Sequence, residues 1–384
     1  MRTPLAWLNL VHEKTRLLVA IAGVAFAVIL VFMNLGFLGS LAETASMFYS
    51  QIDAQIYLSS PQALEISTTK PFPIERIYQA AGIDGVERTM PLYLGYLQWR
   101  NPQTRLSRAL LVFGIRPSDP VFLLPELQLP ENQTALLRPD TVLIDRLSRP
   151  EYGPQTVGLT TEARSRGRHR QVTIGGQYTL GGGFAADGTL IASDQNFRRF
   201  FDPFPLNQIN LGLIKLKPGV DAAQVAQKLR QILPKDVEVM TQEQIVARDR
   251  DYWINATSTG FIFGMGVAVS CIVGIVIVYQ ILYTDVSNHL KQYATLKAMG
   301  FRSRYLFSVV IQEASFLAVL GYIPGFAISL GLYELARTAT NSALPISMEF
   351  GRAVFVLLLT LLMCIVSGLI SVHKAIATDP AEVF

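Results

Sequence analysis

Four long apolar runs, arranged as one and then three, decide what this chain can fold into. The first is Leu17–Leu38, and about 220 mostly polar residues follow it. Gly260–Tyr283, Leu306–Tyr333 and Ala353–Val372 then come in close succession. An apolar helix of roughly 20 residues spans the ~30 Å hydrocarbon core of a bilayer. The expected fold class is therefore an integral membrane protein with four transmembrane α-helices in a 1 + 3 layout. A large α+β extracytoplasmic domain is looped out between the first and second.

The mean hydropathy of +0.33 averages two populations, near-charge-free spans and an ordinary soluble block. A block of about 220 residues is enough for one or two domains with their own core. The net charge of +4 is too small for the footprint of a nucleic-acid binder. Orientation follows from Lys and Arg in the short loops. Arg2, Lys14 and Arg16 stand against Glu13 at the N-terminus, and Lys291, Lys297, Arg302 and Arg304 against Asp285 in the 284–305 loop. The 337–352 loop has only Arg337 and Arg352 against Glu349. Both termini are thus expected in the cytoplasm, with the chain multi-pass in the membrane and the large block outside. Ser40-Leu41-Ala42 loosely resembles a signal cleavage site. A signal core has only about 7–15 apolar residues, so Leu17–Leu38 is read as an uncleaved anchor. Cys271 and Cys364 both fall in spans. The outer block is therefore not a disulfide-stapled module, and both cysteines are read as small packing residues.

The expected organisation is as follows. Residues 1–16 form a cytoplasmic interfacial helix with Trp7 at headgroup depth, and 17–38 the first span. Residues 39–240 form the outer α+β domain, 241–259 a stalk helix and 260–283 the second span. Residues 284–305 are a cytoplasmic coupling loop and helix, 306–336 the third span, 337–352 a short outer loop, 353–372 the fourth span and 373–384 a tail. Within the outer domain, Gln51–Leu58 alternates as a half-buried strand. Ile74–Ala81 reads as a helix ended by Gly82. Arg88–Trp99 and Arg105–Ile115 flank Asn101-Pro102-Gln103-Thr104 as a hairpin, and the Pro-rich stretch Pro117–Pro139 reads as irregular. Gln171–Leu180 and Asn207–Leu216 read as strands, Val220–Leu233 as an amphipathic helix and Val237–Met240 as a short strand.

The stretch 241–284 is the most telling. Thr241 and Gln244 form a capping-box pattern, and no Pro interrupts the chain from there to Tyr283. The charge-free run Tyr252–Thr284 alone would be about 50 Å long as a helix. That points to a rigid stalk, with Asn255, Ala256 and Thr257 where it leaves the lipid. Two helices broken near Asn255–Gly260 are the alternative. In the third run Pro324-Gly325 predicts a kink. Glu313 is an ionisable residue within a span and so a functional candidate, unless it simply reaches the interface.

Catalytic patterns are absent from the sequence. His12, His169, His289 and His373 are dispersed, no phosphate-binding loop occurs, and the Gly175–Gly183 glycines read as a turn. The reading is not an enzyme, with no catalytic residue, metal site or cofactor of its own. Arg164, Arg166, Arg168 and Arg170 make a dense basic patch, read as a solvated loop or as contact with a partner or anionic headgroups.

After the second span come Leu290, Lys291, Gln292, Tyr293, Ala294, Thr295, Leu296, Lys297, Ala298, Met299 and Gly300. The apolar positions follow helical spacing and Gly300 ends the helix. This segment, Glu313 at the opening of the third span, and Asp379-Pro380-Ala381-Glu382-Val383-Phe384 at the end resemble the MacB/FtsX-type permeases of ABC systems. It departs at Gln292, where that family usually has Glu. The phrases TVLIDRLSRPEYGP, GGQYTLGGGFAADGTLIASDQNFRRF, YATLKAMG and AVLGYIPGF are similar to the cyanobacterial DevC-type subfamily, and the resemblance runs from Pro4 to Phe384.

The resemblance implies a type VII (MacB-like) architecture and a homodimeric permease without ATPase chemistry. A separate cytoplasmic ABC ATPase, holding the ATP and Mg, would dock on 290–300 with a secondary contact at Asp379, Pro380 and Ala381. A periplasmic membrane-fusion protein and a TolC-like outer-membrane channel would complete an exporter of a lipid-like cargo, heterocyst glycolipid in the best-known case. Membrane lipid is a further expected partner, and nucleic acid is not. The alternatives are a lipoprotein-extraction permease and an FtsX-like regulator of a cell-wall hydrolase. A receptor without an ATPase is the remaining one.

Overall fold

The computed structural model describes residues 14–181, 185–288, 299, 303–340 and 345–376. The chain divides into two compact units, one of Met1–Gly39, Ser258–Thr338 and Ile346–Phe384, the other of Ser40–Thr257 with Ala339–Pro345. Helix α1, Lys14–Ser50, belongs to both. Its 37 residues make it about 55 Å long at 1.5 Å per residue, well beyond the ~30 Å hydrocarbon core. The apolar run ends at Leu38, but the helix continues because Leu41, Ala45, Phe48 and Tyr49 repeat at helical spacing and are buried.

Among the described residues the outer unit has eleven strands. They are β1 Ile56–Ser59, β2 Phe72–Pro73, β3 Val86–Arg100, β4 Ser107–Ile115, β5 Thr141–Asp145, β6 Thr160–Ser165, β7 Arg168–Tyr178, β8 Thr189–Ser193, β9 Gln208–Ile209, β10 Leu211–Leu216 and β11 Glu238–Thr241. Nine form one sheet in the order β11-β1-β10-β3-β4-β8-β5-β7-β6, and β2 pairs with β9. The long β3 serves two neighbourhoods. Its first half pairs with β10 and its second half with β4. Gln98 and Trp99 of β3 also pair with Arg164 and Ala163 of β6, which closes the strands from β3 to β6 on themselves.

Side chains alternate across the sheet, and both faces are covered. Ile56, Leu58, Val112, Val142, Ile144 and Leu190 enter one core, while Tyr57, Leu111, Phe113, Leu143 and Ile191 enter the other. The expected half-buried strand Gln51–Leu58 is thus shortened to β1 and buried on both sides. Helices α2 Glu75–Ala81, α3 Pro130–Leu137, α4 Asp194–Phe200, α5 Ala222–Ile232 and α6 Gln242–Asp251 complete the unit.

The hairpin of β3 and β4 forms where expected. Asn101 Oδ1 accepts from the N–H groups of Gln103 at 2.8 Å and Thr104 at 3.1 Å, and the turn continues through Arg105 at φ 61°. The Pro117–Pro139 stretch, expected to be irregular, contains α3. Pro130 occupies its first turn, where a missing N–H costs nothing, so proline starts this helix. The arginine-rich patch is the β6–β7 hairpin, turned at Arg166-Gly167 with positive φ at both residues. It is tied down by Arg168–Asp202, by Arg166 to the carbonyl of Pro203 at 2.6 Å, and by Arg170 to the carbonyl of Arg199 at 2.8 Å.

The other unit is a helical bundle of α1 with α7 Ser258–Asn288, α8 Ser303–Ala339 and α9 Phe350–Ile376. Among the described residues these four helices are long and apolar enough to cross a membrane. Helix α8 continues through Pro324.

Candidate functional site

Within the bundle, small and hydroxylic residues bring the helices close. A Cβ at Gly321 would lie 2.5 Å from Val24, and one at Gly325 would lie 2.8 Å from Val28 and 3.0 Å from the carbonyl of Ala25. Gly321-Tyr322-Ile323-Pro324-Gly325 is therefore a G-x-x-x-G contact of α8 on α1. Ser367 and Ser371 of α9 donate to the carbonyls of Ile275 at 2.9 Å and Tyr279 at 3.2 Å on α7. Tyr333 donates to the carbonyl of Phe32. Glu313 is fully buried inside the bundle and does not reach outward from it.

Gly325→Ala overpacks a contact whose neighbours include backbone, a defect that costs about 1–3 kcal/mol. Gly331 has open space around its Cβ position. Gly325→Ala is expected to lower the thermal midpoint in detergent, and Gly331→Ala to leave it unchanged or raise it.

Gly23, Gly266 and Gly274, whose small size in the first and second spans suits a dimer face, are used inside the protomer. Gly23 lies against Ile277, Gly266 against Asn34, and Gly274 against Met363 and Ala27. A Cβ at Gly264 would have nothing within 4 Å among the described residues.

The stalk differs from expectation. Thr241 caps α6 with both bonds of the capping box: Gln244 N–H donates to Thr241 Oγ1 at 3.4 Å and Thr241 N–H to Gln244 Oε1 at 3.1 Å. The helix does not run on to Tyr283. Tyr252–Ala256 widens into a π-helical turn, and Thr257 is extended at φ −93°, ψ 149°, before α7 begins. The polar residues explain the interruption. Asn255 donates to Asp251 Oδ1 at 2.7 Å and Thr257 to the carbonyl of Trp253 at 2.6 Å. The Thr257 bond ends on a backbone carbonyl and competes with the helical ladder, the Asn255 bond joins two side chains and leaves the ladder untouched, and no residue of Tyr252–Ala256 is buried.

A second feature lies within the outer unit. Asp249 of α6 is fully buried. Its Oδ2 accepts from Tyr49 Oη at 2.7 Å and from the N–H of Ile66 at 2.9 Å. Its Oδ1 accepts from Arg248 Nε at 3.1 Å and Nη2 at 3.0 Å. Gln242 adds a bond to the carbonyl of Tyr49 at 2.9 Å. The end of α1 and helix α6 are thereby locked together.

Burial pushes the Asp249 carboxyl up to about 6, against the opposing pull of Arg248 and the Tyr49 hydroxyl, and nearby Glu65 raises it further. The folded form therefore holds the proton more tightly than the unfolded form. This group's contribution to stability is full below about pH 4 and is lost as pH rises through about 6. The shift corresponds to roughly 3 kcal/mol. Urea unfolding, followed by the buried Trp99 with Trp7 and Trp253 replaced by Phe, checks it. The stability of wild type relative to Asp249→Asn should rise by about that amount between pH 7 and pH 4. Parallel pH profiles would contradict the assignment.

Of the remaining candidates for ATPase contact, Leu290–Ala298, Gly300, Asp379, Pro380 and Ala381 lie outside the described residues. Met299 is described and exposed. Just before this segment, Asp285 of α7 lies 3.7 Å from Arg16 at the start of α1. Val286, Val310 and Val372 pack together beside them.

Residues 264–380, which hold most of α7, all of α8 and α9 and the 288–300 segment, match the family of FtsX-like permease C-terminal domains. An uncharacterized ABC transporter permease of Methanocaldococcus jannaschii is 23% identical over 178 residues. The match spans 44% of this chain and 44% of that relative, less than half of its length. Among solved structures, the periplasmic region of MacB from Actinobacillus actinomycetemcomitans is similar with 12% identity and a TM-score of 0.36, over 50% of this chain and 92% of that one. The extracellular domain of the noncanonic ABC-type transporter YknZ from Gram-positive bacteria is similar with 14% identity and a TM-score of 0.36, over 49% and 99%. Residues 264–380 are thus similar to FtsX-like permease C-terminal domains, and part of the chain is similar to an ABC transporter permease.

Proposed function

We propose that this chain is the membrane-spanning subunit of an ATP-driven ABC assembly and carries motion across the bilayer along its first helix. The observation that carries this reading is α1. It is unbroken from Lys14 to Ser50, with Val24, Val28 and Phe32 buried in the bundle and Ala45, Phe48 and Tyr49 buried in the outer unit. A strut must be anchored at both ends and stiff between them. The other helical connection, α6 to α7, is interrupted at Thr257, so it serves as the joint about which the strut works.

A separate cytoplasmic ATPase holds the ATP and Mg and seats on 288–300, with Asp379–Ala381 as a second contact. Both termini face the cytoplasm, and the unit between α1 and α7 faces outward. A homodimer, a membrane-fusion protein and a TolC-like channel complete the machine, and its cargo is hydrophobic and lipid-like, a glycolipid by the cyanobacterial resemblance. Co-purification from native membranes tests this reading. An ATPase with a fusion protein is the expected result. An ATPase with a cell-wall hydrolase would replace export by regulation, and recovery of the chain without an ATPase would overturn the proposal.

A further inference from the structure

Because β6 bonds back to β3, one edge of the nine-stranded sheet is closed. The other end of that sheet, among the described strands, is β11. A groove of about 700 Å³ runs along it, lined by β11, by the end of α5 with the segment after it, and by α6. The hydrogen-bond phase of β11 can be read from its partner. The N–H of Gln242 donates to the carbonyl of Gln55, which makes that a bonded pair across β1 and β11. Bonded and non-bonded pairs alternate in an antiparallel ladder, so Val239 and Thr241 turn their backbone groups to the groove.

Side chains on the groove wall cover these groups in place of another strand. Arg230 Nε donates to the carbonyl of Val239 at 2.9 Å, and Gln244 Oε1 accepts the N–H of Thr241 at 3.1 Å. Arg230 Nη2 also holds Gln244 Oε1 at 2.5 Å. Both side chains are exposed and long, so they can leave without unpacking a core. Such covers are how a free edge avoids unwanted pairing.

The charge of the groove is one-sided. Arg230, Lys235 and Arg248 line it against Glu238. Arg248 is bonded to Asp249 through Nε and Nη2, but its buried Nη1 has no hydrogen-bond partner among the described residues. Asp236, next to Lys235, is turned away to Arg76 at 2.6 Å.

We propose that β11 is a docking edge for an extended, acidic segment of an extracytoplasmic protein partner. The segment displaces the Arg230–Gln244 cover, pairs with Val239 and Thr241 as a further strand, and sets its carboxylates against Arg230, Lys235 and Arg248. Backbone pairing gives affinity in this mode, and side chains give choice of partner. A second copy of this chain fits less well, because pairing β11 with itself about a two-fold axis brings the cations of one groove against those of the other. The inference concerns the outer unit and does not depend on how motion is transmitted.

The test uses the full chain in detergent and a short fluorescent peptide in which valine and glutamate alternate. Saturable binding that weakens with salt is expected. Arg230→Glu combined with Lys235→Glu should weaken it about tenfold or more, and Arg164→Glu, outside the groove, should leave it unchanged. The same peptide N-methylated at alternate residues should not bind, since it lacks the donors that strand pairing needs. Equal binding of the N-methylated peptide, or of a valine–lysine peptide, would overturn the proposal. So would absence of binding, or a disulfide dimer formed through Glu238→Cys in a chain lacking Cys271 and Cys364, which would give the edge to a second copy.

Discussion

Leu296→Asp is expected to abolish docking of the proposed ATPase while the chain still inserts and folds. The expectation rests on the sequence alone: as a helix, 290–300 would set Tyr293 and Leu296, three residues apart, side by side. The segment lies within the stretch that matches the FtsX-like permease domain. A few buried apolar anchors dominate contacts of this size, each worth about 2 kcal/mol or more, which is a loss of about thirtyfold for a single truncation. A carboxylate at the anchor adds the cost of burying an unpaired charge. Lys291→Ala, at the rim, should cost much less, because exposed ion pairs are worth about 0–1 kcal/mol. Pull-down of the ATPase by detergent-solubilised variants checks both. Wild-type recovery with Leu296→Asp would remove this helix from the interface.

Much of the scaffold is legible in residue patterns, and the exceptions have physical causes. The four spans follow from nearly charge-free runs whose length matches a bilayer, and the cap of α6 follows from Thr241 and Gln244. The continuous stalk fails because lack of Pro, Gly and charge between Tyr252 and Thr259 is not the presence of helix-forming residues. Asn255, Thr257, Ser258 and Thr259 are weak helix formers, and Thr257 bonds the carbonyl of Trp253 with its side chain. The extension of α1 is readable, since Leu41, Ala45 and Phe48 continue the period past Gly39-Ser40. The Gly321–Gly325 spacing is readable too. Asp249 is not. It sits in the charged run Arg248-Asp249-Arg250-Asp251, which looks like a solvated face. Its burial depends on Tyr49 and Ile66, 200 and 183 residues away in the chain. No local pattern carries that information.

Breaking α1 uncouples the outer unit from the ATPase. Replacing Ala42-Glu43 by Pro-Gly puts a proline, costing about 3 kcal/mol, and a glycine, costing about 1 kcal/mol, into the helix interior. The proline also removes one rung of the ladder and kinks what remains. The bundle contacts at Val24 and Val28 and the outer contacts at Phe48 and Tyr49 lie on either side of the break. Each unit therefore keeps its own packing while the stiff path between them is lost. The same disruption at Asn255-Ala256-Thr257, replaced by Gly-Pro-Gly, falls where the helix is already interrupted and is expected to be tolerated.

The deciding measurement is a spin-label distance between Gln103→Cys in the outer unit and Gly351→Cys in the bundle. It is made in a chain lacking Cys271 and Cys364 and assembled with its ATPase, with and without ATP and vanadate. Wild type and the 255–257 variant should show the same nucleotide-dependent shift. The 42–43 variant should hydrolyse ATP and show none. A shift that survives the break in α1 and disappears with the change at 255–257 would contradict the first helix as the path of transmission.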